Sequence, residues 1–110
     1  MNKLVFFVQG SANNPYKVTF QKNDGKLSAY CTCPAGDHGQ FCKHRIKILG
    51  GITDGIVSPN QHDVVIMKSW LNGTDIEVAI VGVMEAEQQY EIAKNKLTAA
   101  KKLLAKAFRD

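Results

Sequence analysis

The chain has 110 residues and a formal net charge of +4, and 45% of its residues are hydrophobic while 22% are charged. This length fits one ordinary domain or two small units and excludes most multi-domain enzymes, and the composition excludes a disordered or collagen-like chain. No apolar run reaches the roughly eighteen residues that span a bilayer, and the N-terminal segment lacks the cleavage site of a secretion signal. We therefore expect a cytoplasmic protein.

The first half of the chain, residues 1–51, predicts a basic three-stranded antiparallel meander. Apolar and polar residues alternate over residues 16–21 and 27–32, which is the period of strands with one buried face. The turn residues 23–25 predict a hairpin between them, and the apolar run 4–8 predicts a third strand. This half carries a surplus of five positive charges. Such a surplus is typical of proteins that bind nucleic acid, although a solvated basic surface produces the same pattern.

The second half of the chain predicts helices. A short helix should follow Cys42 and end at the glycines 50 and 51. A capping serine before Pro59 predicts a helix over residues 59–71, and a capping box at Thr74 predicts the start of the next helix. Because the link between these two helices is so short, we expect a helical hairpin.

The last segment has the most regular pattern in the sequence. Every seventh residue is large, and an alanine follows three positions after each: Ile76, Val83, Tyr90, Leu97, Leu104 and Ala79, Ala86, Ala93, Ala100, Ala107. Five heptads predict a helix ~50 Å long that packs against another helix, in the same chain or in a second copy. The β-branched residues over 76–84 also suit a strand, but the capping box and the unbroken heptad phase favour a helix.

All three cysteines lie within twelve residues, as Cys31 and Cys33, then Cys42 followed two positions later by His44. Three thiolates and one imidazole form a closed tetrahedral set, which is typical of one structural zinc ion with no coordination position left for a substrate. The first pair ends a strand, and the second pair opens a helix whose N-terminus favours an anionic centre. His38, in the loop between the pairs, is an alternative fourth ligand.

Three other interpretations of this cluster have weaker support. A disulfide would leave an odd thiol in a chain without a secretion signal, and an iron–sulfur cluster ordinarily needs a fourth cysteine. A nucleophilic Cys/His pair needs a metal-free thiol of low pKa, and the three adjacent thiols compete with that state. The sequence also lacks a Walker-type loop, a GxSxG elbow and an HExxH motif, so we expect no catalytic residue and no enzyme.

The pattern CxC, eight residues, CxH, preceded by a hairpin and followed by a helix, resembles the SWIM-type zinc finger over residues 15–50. Pro34 directly after the second cysteine is also similar to family members. The resemblance implies a ββα zinc module whose ligands are Cys31, Cys33, Cys42 and His44. SWIM modules are regarded as DNA-binding or protein-interaction elements. We expect this chain to differ from their usual hosts, in which the module is attached to a catalytic domain.

We therefore expect an α+β protein with a SWIM-like zinc module in residues 1–51 and a helical hairpin in residues 52–110. The first hypothesis for its function is DNA binding, in which six basic residues neutralise phosphates: Lys17, Lys22, Lys26, Lys43, Arg45 and Lys47. Tyr16, Tyr30 and Phe41 have rings that stack on bases in some proteins, but we expect them in the core. The second hypothesis is a protein-interaction or homodimerisation module that uses the heptad helix.

Overall fold

The structure is a computed structural model that describes residues 2–110, and it consists of a three-stranded antiparallel sheet followed by helices. The strands β1 (Lys3–Val8), β2 (Tyr16–Asn23) and β3 (Lys26–Cys31) lie side by side in chain order. The helices are α1 (Pro34–Asp37), α2 (Lys43–Leu49), α3 (Val64–Leu71) and α4 (Asp75–Ala107). The predicted α+β class, the meander and the long C-terminal helix are confirmed.

One face of the sheet is buried because apolar residues occupy alternate positions of all three strands. On this face Val18 of the central strand pairs with Phe6 of β1 and with Cys31 of β3. Phe6, Val18 and Phe20 are fully buried, and the rings of Phe6 and Phe20 meet edge to face with centroids 6.0 Å apart. The core therefore reaches the cysteine cluster directly, through the last residue of β3.

The two short helices α2 and α3 complete this core. α2 packs against β3 and against α3, and it buries Ile48 and Leu49. α3 buries Val64 and Met67, which lie three positions apart and therefore on the same side of the helix. α2 ends where predicted, since Gly50 caps it and Gly51 has a φ of +82°.

The segment before α3 covers the free edge of β1. Ile56 forms a β-bridge with Val8, and the Val57 amide donates to the Phe7 carbonyl at 2.8 Å. The Ser58 hydroxyl accepts a hydrogen bond from the Phe7 amide at 3.1 Å. An edge strand whose amides and carbonyls are paired in this way is protected from pairing with another chain.

The predicted helix start at Pro59 is wrong. Ser58, the expected capping residue, uses its hydroxyl to accept from the sheet edge and to donate to Asn60. The chain instead forms a 3-10 turn at Gln61–Asp63, and α3 begins only at Val64. A long-range hydrogen bond thus replaced the local cap that the sequence favoured.

α4 begins where the sequence predicted. The Thr74 hydroxyl accepts from the Glu77 amide at 3.3 Å, and the Glu77 carboxylate accepts from the Gly73 amide at 3.0 Å. The ambiguous residues 76–84 are helical. All of α4 lies in the described chain, and none of its residues is buried.

The described chain divides into two compact units, one ending at Glu77 and the other comprising Val78–Asp110. The packing of α3 against α4 as a hairpin stays a prediction. The boundary at residue 51, between the zinc module and the helical part of the chain, stays a prediction as well. No helix within residues 2–110 combines the length and the apolar character needed to cross a membrane.

Candidate metal centre

The ends of three elements position the cysteine and histidine side chains. After β3, the Thr32 amide donates to the Lys17 carbonyl at 3.1 Å, and the Lys17 amide donates to the Thr32 hydroxyl at 2.9 Å. These two bonds hold the chain between Cys31 and Cys33. Cys33 is the N-cap of α1, where its Sγ accepts from the Gly36 amide at 3.3 Å.

The four predicted zinc ligands converge on one point. Their donor atoms lie within 4.8 Å of one another, and the Sγ atoms of Cys33 and Cys42 are 3.4 Å apart. His44 Nδ1 lies 3.6 Å from Cys42 Sγ and 3.8 Å from Cys31 Sγ. Zn–S and Zn–N bonds of ordinary length place tetrahedral ligand atoms about 3.5–3.8 Å apart. The donor set therefore fits one zinc ion bound by three sulfurs and one nitrogen.

His44, and not His38, completes the donor set. His44 is the second residue of α2 and lies two positions after the N-cap Cys42, so the start of the helix brings its imidazole beside the thiols. His38 is exposed at the C-cap of α1. The alternative fourth ligand at His38 is wrong, because the single turn of α1 places that residue at the surface.

Burial and the start of α2 shift the pKa values of the cluster in the metal-free chain. Burial raises the pKa of Cys31 to about 12. Burial acts in the same direction on Cys42, but the backbone amides of Arg45 and His44 and the neighbouring thiols outweigh it and lower the Cys42 pKa. Burial also lowers the pKa of His44, with help from the charges of Lys43 and Lys47. A thiolate and a neutral imidazole are the forms that bind zinc.

The imidazole of His44 is supported by a neighbouring aromatic ring. The ring of Tyr16 lies against it with centroids 5.2 Å apart and an interplanar angle of 48°. Gly10 makes this arrangement feasible, because a Cβ at that position would overlap the Tyr16 ring. Tyr16 was expected in the core. Its ring is only half-buried, and it packs on His44, a predicted zinc ligand.

Gly36 is a residue of the site that the sequence analysis missed. A Cβ built on Gly36 would lie 2.6 Å from the carbonyl oxygen of Cys31 and 2.8 Å from its Cβ. The only local signal was the pair Cys33-Pro34, which is typical of an N-cap followed by the first helical residue. That pair predicts a helical turn, but the close approach of the turn to β3 is a tertiary contact.

The six basic residues proposed for phosphate binding occupy different surroundings. Lys22 donates to the Trp70 carbonyl at 2.7 Å, and Arg45 donates to the carbonyls of Ala29 at 3.1 Å and Gln40 at 2.6 Å. These two side chains hold the module together. The other four are exposed: Lys17 and Lys26 on the sheet, and Lys43 and Lys47 on α2. Their contacts with nucleic acid stay a prediction.

A cleft of about 690 Å³ lies beside the metal centre. Its walls include Phe41, Lys43, Lys47, Asp54 and the Tyr16 ring. Phe41, which the sequence analysis placed in the core, is 62% exposed. The expectation for Phe41 is therefore wrong, because this residue lies in the loop between α1 and α2, where no packed element covers its ring.

Comparison with known families agrees with this geometry. Residues 16–50 match the family model of the SWIM zinc finger. The matched range runs from the first residue of β2 to the C-cap of α2 and contains all four donors. Residues 16–50 are therefore similar to a SWIM zinc finger, and their cysteine and histidine cluster is able to bind one zinc ion. Searches of curated proteins and of solved structures gave no match.

Cys33→Ser and His44→Ala should each abolish stoichiometric zinc, because a closed four-ligand site loses most of its affinity with any one donor. Zinc per chain, measured by plasma emission spectrometry after gel filtration, tests this expectation. His38→Ala is the matched control and should keep one zinc ion per chain. We also expect the amide NMR signals of residues 2–51 to broaden in the two ligand variants, and sharp, dispersed signals without metal would contradict the dependence of the fold on zinc.

Gly36→Ala should weaken zinc binding about 10–100-fold while leaving the stoichiometry at one. The added Cβ meets the backbone of Cys31, so either α1 or the end of β3 must move. Competition with a chelator of known affinity measures the change. Gly82→Ala is the control, since a Cβ there meets no atom of the described chain within 4 Å. Equal affinities for Gly36→Ala and the wild type would show that this approach is not needed for the site.

Proposed function

We propose that this protein is a non-enzymatic, zinc-binding accessory factor that binds nucleic acid, DNA in the first instance, through its zinc module. The observation that carries the proposal is the charge of that module. Residues 16–50 contain six lysines and arginines against two aspartates, Asp24 and Asp37. Lysines that stay exposed on a rigid scaffold attract phosphates and release counterions when they bind them.

The chemistry of the metal centre supports a structural role for zinc. Four protein donors saturate a tetrahedral ion and leave no coordination position for a water or a substrate. An ion bound there would join the end of β3 to the start of α2, and this role needs no reaction at the metal. We accordingly propose neither a catalytic residue nor a small-molecule substrate.

The state of the cysteines supports the cytoplasm as the compartment. Cys31, Cys33 and Cys42 all carry free thiols. A zinc site built from three thiols is maintained most easily where the surroundings are reducing, since oxidation to a disulfide would remove ligands.

The exposed stripe of α4 supports a second candidate function, assembly of two copies through this helix. Val83, Tyr90, Leu97 and Leu104 are 36%, 68%, 55% and 56% exposed, although their heptad spacing is that of an interface. Pairing through α4 would also bring two zinc modules together, which raises avidity for a nucleic acid. The two candidates are therefore compatible.

Replacing both Leu97 and Leu104 by lysine should convert a dimer to a monomer, because charged side chains at these positions oppose burial of the stripe. Sedimentation equilibrium of the zinc-loaded protein measures the molecular mass. Ile92→Lys, on a different face of α4, is the control and should keep the mass of the wild type. A monomeric wild-type protein at micromolar concentration would remove this candidate.

Fluorescence anisotropy of zinc-loaded protein with labelled single- and double-stranded DNA tests the first candidate. We expect binding that weakens between 50 and 200 mM salt, with a logarithmic slope of about −0.7 to −0.9 for each phosphate contacted. Failure to bind either DNA at both salt concentrations would contradict nucleic-acid binding and direct attention to α4.

A further inference from the structure

The face of the sheet opposite the core carries an unusual set of side chains. This outer face is defined by the residues that alternate with the buried ones: Lys3, Val5, Phe7, Lys17, Thr19, Gln21, Lys26, Ser28 and Tyr30. Three of the nine are lysines and none of the nine is acidic. The outer face is therefore a positively charged surface without an opposing charge of its own.

Two aromatic rings on the outer face are exposed to solvent. Tyr30 is 62% exposed and Phe7 is 40% exposed, so the expectation that Tyr30 belongs to the core is wrong. Phe7 pairs with Lys17 and Tyr30 pairs with Thr19, on opposite sides of β2. Two strand spacings across the sheet and two residues along it separate the backbone positions of Phe7 and Tyr30 by about 12 Å. Rings in these positions leave much of their area in contact with water, so they contribute less packing energy than buried rings do.

The chemistry of this surface fits unpaired bases. Exposed rings on a sheet stack on the faces of bases, and nearby lysines neutralise the phosphates. A duplex hides the faces of its bases within the stack, so the rings of Phe7 and Tyr30 have nothing to stack on in double-stranded DNA. Stacking also accepts every base, so the surface should show little sequence preference.

We propose that the outer face is a stacking platform for single-stranded nucleic acid, with Phe7 and Tyr30 against bases and Lys3, Lys17 and Lys26 against phosphates. The proposal rests on the proposed function and adds to it the surface and the strandedness of the ligand. It assigns a role to β1, which lies outside the matched SWIM segment.

The cleft beside the metal centre is the competing surface, and it supplies an internal control. It contains an exposed ring, Phe41, and two lysines, Lys43 and Lys47, but also the carboxylate of Asp54. Phe41 and Tyr30 are equally exposed, at 62% each. Substitution of either ring by leucine is therefore a matched pair of surface changes that distinguishes the two locations.

The experiment uses the full, zinc-loaded chain and a labelled mixed-sequence 15-nucleotide single strand, as DNA and as RNA, with the DNA duplex for comparison. We expect Tyr30→Leu and Phe7→Leu each to weaken single-strand binding roughly fivefold or more, as loss of one stacked base predicts. Tyr30→Phe keeps the ring and should bind like the wild type. Phe41→Leu should bind like the wild type too. Zinc content and circular dichroism confirm that each variant is folded.

The outcomes separate this proposal from the proposed function. Ring-dependent binding of the DNA strand, the RNA strand or both supports the platform and identifies its ligand. Wild-type protein that binds no nucleic acid refutes both proposals. Tighter binding of the wild type to the duplex than to the single strand would overturn the platform. A loss of affinity in Phe41→Leu but not in Tyr30→Leu would overturn it too. Either result leaves nucleic-acid binding in place.

Discussion

The convergence of three buried thiols and one imidazole at the end of β3 is the constraint on which the rest of the zinc module depends. Buried without a cation, a thiol such as Cys31 stays protonated, as its pKa of about 12 indicates. A zinc ion held by the four donors would favour the thiolates and would link β3, α1 and α2, which have few apolar residues with which to hold one another. The close approach of Gly36 to Cys31 and the ring of Tyr16 against His44 are arranged around the same point.

The metal centre also determines which surfaces are left for binding. One face of the sheet is buried in the core, and Cys31 on that face belongs to the donor cluster. Two basic side chains, Lys22 and Arg45, donate hydrogen bonds to backbone carbonyls of neighbouring segments. The outer face, with two exposed rings, and the cleft beside α2, with one, remain available, and both carry exposed lysines. A binding function therefore has two defined locations on the zinc module.

Much of the fold and of the site could be predicted because the signals were local. Alternation identified the strands, glycines ended α2, Thr74 began α4, and the spacing of Cys31, Cys33 and Cys42 indicated the metal. The predictions that failed depended on distant partners. The start at Pro59 was lost because Ser58 bonds to β1, across about fifty residues of chain. The core position expected for Tyr30 is wrong because aromatic rings are usually buried, whereas the alternation over residues 27–32 puts this residue on the polar face, opposite Leu27 and Cys31.

The three cysteine donors and the type of the strands, of α2 and of α4 follow from residue identity at short spacing along the sequence. The tertiary structure is needed to show that His44 rather than His38 completes the donor set, because the choice depends on where α1 and α2 begin and end in space. It also decided that Lys22 and Arg45 bond to backbone while the rings of Phe7 and Tyr30 share an exposed face. Burial is set by contacts between residues far apart in the chain, and no local pattern contains them.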